Sequence, residues 1–180
     1  MPARSILEKI LLVLLFAGAA MFLGGSIIRA ATAYDIFTPG TLLHKPFLTD
    51  EQINYSIRLY AITAFYTLFG YGATLVGILG ITIAHRKEFR HNGGFFMAAV
   101  LFYCCMPVEF YAAFYDIRLL QSVNALSFDA AINGKELQAL FTERLSPRMS
   151  SAGFITLLAY LTSVFLIVWR PLTSKKTTSK

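Results

Sequence analysis

Apolar residues in this chain do not recur at the short periods of a soluble fold; they come in four long blocks set off by charged or histidine residues. The uninterrupted runs are Ile10–Ile28 (19 residues), Leu59–Ala84 (26), Asn92–Val108 (17) and Met149–Trp169 (21), and the third continues past the single charge of Glu109 to Tyr115. A helix needs about 20 apolar residues to cross a hydrocarbon core of about 30 Å. The pattern therefore predicts an all-α integral membrane protein, a bundle of four transmembrane helices spanning about 8–30, 55–85, 94–118 and 148–170. Loops at 31–54 and 119–147, a link at 85–93 and a polar tail at 171–180 complete a single domain. The first run resembles a secretion signal in its basic flank and small-residue end, but it is longer than a signal core of about 7 to 15 residues, and Arg29 closes it. It is read as a retained helix.

Capping chemistry sharpens these limits. Thr49-Asp50-Glu51-Gln52 has capping-box spacing, with two acids in the first turn, so the second span is predicted to begin near Asp50, above the hydrocarbon. Ser146-Pro147 reads as an N-cap followed by proline at the first helical position of the fourth span. Between spans three and four, Asn133 and Glu136 make a weaker cap, and Leu137, Leu140, Phe141 and Leu145 form the stripe of an amphipathic helix. That stripe suits either the membrane surface or the tips of the protein's own helices.

Composition and charge then fix an expected orientation. The chain is 56% apolar and only 14% charged, with a net charge of +6. Nine Lys/Arg fall in the 27 residues of the N-terminus, the middle link and the tail, against seven in the 63 residues of the other two loops. Basic residues are retained on the cytoplasmic side, so both termini and the link are expected there, with the amphipathic helix in the second outer loop. Arg86, Lys87 and Arg90 then suit anionic lipid headgroups, and nucleic-acid binding is the poorer use of the charge.

Apolar helices gain little from joining in lipid, so small residues must let them approach. Gly70, Ala73, Gly77, Gly80 and Ala84 recur at steps of three and four, which places all five on one face of span two. Span four offers Ala152, Thr156, Ala159 and Ser163; span one offers Ala17, Ala20 and Gly24; span three offers Ala98, Cys105, Ala112 and Ala113.

Span three holds the one candidate for chemistry. A carboxylate in hydrocarbon costs on the order of 3 kcal/mol on insertion scales, so Glu109 is expected to face the bundle, on the side shared by Ala98, Cys105, Ala112 and Asp116. Tyr60, Tyr66 and Arg58 of span two are its expected partners. Pro107 frees the carbonyl of Tyr103 and is expected to bend the helix beside the acid. Such a site carries protons or ions, or it makes one interhelical hydrogen bond. Adjacent Cys104 and Cys105 do not suit a disulfide and read as packing. His85 and His91 sit in the cytoplasmic link, and His44 in the first outer loop is the one weak candidate to ligate a peripheral haem or pigment. No metal site, phosphate loop or catalytic motif is apparent.

The reading that follows is a non-enzymatic accessory or structural subunit of a larger respiratory, photosynthetic or transport complex. Its expected partners are other membrane subunits and anionic lipids; bound lipid is expected and no cofactor is predicted. The membrane is expected to be a bacterial plasma membrane, with an organelle inner membrane as the competitor. The alternative is a small proton-coupled carrier or channel built on Glu109 and the Pro107 bend.

Overall fold

The structure, a computed structural model, describes residues 5–86, 92–125 and 134–169. Lys87, Arg90, His91, Asn133 and the polar tail lie outside the described residues. The described chain forms five helices: α1 (Ile6–Asp35), α2 (Asp50–Ala84), α3 (Gly93–Ala125), α4 (Gly134–Arg144) and α5 (Pro147–Trp169). Four of them, all but α4, are long and apolar enough to cross a membrane, which marks the chain as a membrane protein. At 35 residues α2 is about 52 Å long, more than the hydrocarbon requires.

Helix α2 starts where its capping box places it. The Thr49 hydroxyl accepts from the Gln52 amide at 3.3 Å and the Gln52 side chain accepts from the Thr49 amide at 3.0 Å. A second capping box, Ser5 with Glu8, opens α1. Helix α5 begins at Pro147, and α3 runs through Pro107 as one helix.

The helices pack as two pairs, α1 on α2 and α3 on α5, joined through α2 and α3 and capped by α4. The buried side of α2 is a continuous stripe: Ile53, Ile57, Tyr60, Ala64, Thr67, Gly70, Thr74, Gly77 and Ile81. Its steps of three and four keep one face against a partner helix over nearly the whole length. Helix α1 answers with glycine of its own. A Cβ added to Gly18 would lie 2.7 Å from the Thr74 backbone nitrogen and 2.9 Å from the Ala73 Cβ, while one on Gly77 would lie 2.7 Å from the Leu15 backbone nitrogen. One on Gly80 would enter the Leu11 side chain.

Two expectations about this seam are corrected. On α1 the close approach runs through Gly18 and Gly25; Ala17 and Ala20 are exposed and a Cβ on Gly24 would meet nothing within 4 Å. The partner's true register decides which small residues are used, and that register cannot be read from one helix alone. Ala84 is exposed, because opposite it α1 has reached its first turn, where Ile6 and Leu7 are themselves exposed.

The α3–α5 pair uses the small faces of both helices, with Ala98, Cys105 and Ala112 buried on α3 and Thr156 and Ser163 on α5. Ser163 donates to the Ala98 carbonyl across the pair at 3.3 Å. At the α4 end lies a well-filled apolar core. Phe141 stacks on Phe37 with centroids 5.9 Å apart and meets Tyr60 edge-on at 5.1 Å, and Leu137 and Leu145 are buried beside it. The apolar stripe of α4 thus turns onto the protein's own helix tips.

Candidate functional site

Just beneath that core, two charged residues that end apolar runs in the sequence come together. Arg29 is 5% exposed and Asp116 4%. Arg29 reaches Asp116 through both terminal nitrogens, Nη1 to Oδ2 at 3.0 Å and Nη2 to Oδ1 at 2.9 Å. Its Nε donates to the Tyr60 carbonyl at 3.2 Å, Nη1 also donates to Thr67 Oγ1 at 3.0 Å, and the guanidinium lies 4.1 Å from the Tyr60 ring centroid. Arg144 of α4 adds its Nε to Asp116 Oδ1 at 3.2 Å. One acid therefore links α1, α3 and α4, and α2 supplies the carbonyl, hydroxyl and ring that complete the shell. A bidentate, fully hydrogen-bonded geometry is what a buried pair needs to recover its desolvation cost.

Beside this cluster lies a cavity of about 380 Å³ bounded by α1, α3, α4 and α5, with Tyr60 of α2 at one end. Glu109 and Arg144 line it from within, with Tyr60 and Arg29 toward the α4 end and Tyr160 also on its wall. Glu109 thus faces the bundle interior, but its surroundings differ from those expected. Among the described residues no hydrogen bond or ion pair reaches its carboxylate, and the cation acting on it is Arg144. Tyr60 is taken up by Arg29, Tyr66 is exposed and Arg58 does not line the cavity. A cation from α4 stands there because α4 folds back over the bundle end, which no periodicity within span two can reveal.

A second void of about 40 Å³ sits between Glu109, Asp116, Arg29, Arg144 and Thr67. Since a water needs about 10–15 Å³ of such space and two or more polar partners, this void suits a small water cluster joining Glu109 to the ion cluster. Tyr71 also lines this void, and its hydroxyl and that of Tyr160 are buried facing each other, neither making a full hydrogen bond among the described residues.

The remaining candidates lie apart. Tyr103 donates to Thr82 Oγ1 at 2.9 Å, an α3–α2 contact. Pro107 is exposed on the outside of α3. Arg86 is exposed beyond the other end of α2. His44 stacks on Phe37 at 5.3 Å, and its Nε2 is buried without a partner among the described residues. No cluster of three metal-ligating side chains occurs among the described residues. The functional residues that sequence reasoning missed are Arg29 and Arg144; the signal for Arg29 was its place at the end of the stripe Leu11, Leu15, Gly18, Phe22, Gly25. Compared with known proteins, the chain matches no family model, no curated protein and no solved structure.

Proposed function

We propose that this chain is a four-span membrane protein with both termini cytoplasmic and α4 on the outer face, acting as an accessory or structural subunit of a larger respiratory, photosynthetic or transport complex in a bacterial plasma membrane. The observation that carries this reading is the one-sided attachment of α1. Its stripe packs on α2, while Ile6, Ile10, Val13, Phe16 and Ile28 are exposed. Helix α5 likewise presents Phe154, Leu158, Leu161 and Phe165. Such faces suit lipid and neighbouring subunits, and the exposed Arg86, with Lys87 and Arg90, suits anionic headgroups on the cytoplasmic side. The reading calls for neither a catalytic group nor a cofactor. Extraction in a mild detergent should recover the chain in stoichiometric company; a lone, monodisperse monomer from native membranes would contradict it.

The second reading, a proton-coupled carrier, is favoured by one observation: Glu109 lines a cavity and adjoins a water-sized void that reaches the outer-face ion cluster. In proteoliposomes Glu109→Gln is then expected to reduce proton-coupled flux to background while the protein still elutes as a folded species. Unchanged flux in the variant removes the idea.

A further inference from the structure

The cavity beside Glu109 has an apolar mouth and a polar floor. Helices α1 and α5 are joined at their α4 ends by the Tyr34 hydroxyl, which donates to Ser150 Oγ at 2.7 Å. Farther from α4, the cavity is edged by Ile27 and Ala30 on α1 and by Gly153 and Phe154 on α5. Ile27 and Phe154 are about three-fifths exposed, at 60% and 61%, and a Cβ on Gly153 would meet nothing within 4 Å. This mouth therefore lies between apolar residues in the α4-side third of two membrane-crossing helices. A tail can pass out of it toward the hydrocarbon.

Inside, the groups want a polar head. Arg144 spends only Nε on Asp116 among the described residues, which leaves its terminal N–H groups to donate. Tyr160 lines the cavity at 7% exposure, and its hydroxyl, which faces that of Tyr71, makes no full hydrogen bond among the described residues. Buried donors without partners are uncommon, and an acceptor oxygen brought into the cavity supplies what they lack. With Glu109 ionised, the formal charges around it, Arg29 and Arg144 against Asp116 and Glu109, cancel. An anionic head would unbalance them in a low-dielectric setting, whereas a neutral one would not. The volume of about 380 Å³ is at the small end for ligand sites, enough for a head and the first carbons of a tail.

We propose that this cavity is a laterally opening site for a neutral, tailed ligand whose head carries carbonyl or hydroxyl oxygens, the chemistry of a membrane quinone or quinol, with the head between Glu109 and Arg144 and the tail passing out between α1 and α5. The site rests on the membrane placement proposed above and not on the subunit assignment, so it is tested on the purified full chain in phosphatidylcholine nanodiscs. The probe is a para-benzoquinone carrying a decyl tail, and bound quinone is measured by its absorbance after gel filtration. Saturable binding of one molecule per chain is expected. Gly153→Leu and Ala30→Leu fill the mouth from opposite helices and are expected to weaken binding about tenfold or more, as is Glu109→Gln at the head. Gly72→Leu, on open space elsewhere on α2, leaves it unchanged. Two mouth variants guard against one that fails to fold, and each is compared with wild type for elution and thermal midpoint. Three results would overturn the site: no saturation, wild-type binding in both folded mouth variants, or displacement by oleate at lower concentration than by a neutral decyl-tailed quinol.

Discussion

Asp116→Ala is expected to lower stability by about 3–5 kcal/mol, more than any other single truncation in the bundle, because it strands the buried Arg29 guanidinium without a counter-charge and takes from the partly buried Arg144 its hydrogen-bonded acid. Arg29 would keep the Tyr60 carbonyl and Thr67 hydroxyl but lose both bonds to the carboxylate. Arg144 would lose the acid that holds α4 to α3. The readout is the unfolding midpoint in a titration of harsh against mild detergent. Removing both charges tells a different story. The double variant Arg29→Met/Asp116→Leu is expected to recover the part of the loss that comes from Arg29, since apolar residues of similar volume commonly replace a buried pair at little cost, while Arg144 keeps only Glu109 as its counter-charge. An Asp116→Ala protein as stable as wild type would mean that the cluster does not tie the helices together.

The next largest effect belongs to Gly77. A Cβ there would stand 2.7 Å from the Leu15 backbone nitrogen and 2.8 Å from its Cα, atoms that cannot move without moving α1. Gly77→Ala is therefore expected to cost about 1–3 kcal/mol, and Gly77→Leu to release α1 from α2 altogether. Gly24→Ala and Gly72→Ala meet open space, so they should be neutral or stabilising by about 0.5–1 kcal/mol through helix propensity. Equal costs at positions 24 and 77 would show that the close approach follows glycine content and not the Gly18–Gly70–Gly77 register.

Much of the architecture is legible in the sequence because lipid makes its demands locally. Length and apolarity of each run mark a span, and the Thr49–Gln52 box marks where α2 begins. Gly70 and Gly77 stand out because no other residue type lets two backbones come so close. Legibility fails where two distant segments decide together. Asp116 reads as part of the inward face of span three but Arg29 only as the charge that closes span one, and pairing them requires knowing that α1 and α3 reach the same depth around α2. Glu109 was readable as inward-facing from its own helix, through Cys105, Ala112 and Asp116, but its cation arrives from α4, 35 positions along the chain. The Ser5–Glu8 box was present in the sequence and shows that capping signals at a terminus carry as much information as those inside.

The claim on which the rest depends is that the chain threads the bilayer four times and brings the Arg29–Asp116–Arg144 cluster to the face opposite its termini. Single thiols introduced by Thr41→Cys, Arg86→Cys and Lys135→Cys in a Cys104→Ala/Cys105→Ala background, probed with a membrane-impermeant maleimide, test it most directly. All three sites are exposed, in the α1–α2 loop, after α2 and on α4. Positions 41 and 135 should label in intact cells and position 86 only in everted vesicles. Labelling of 41 and 86 from the same side would contradict it.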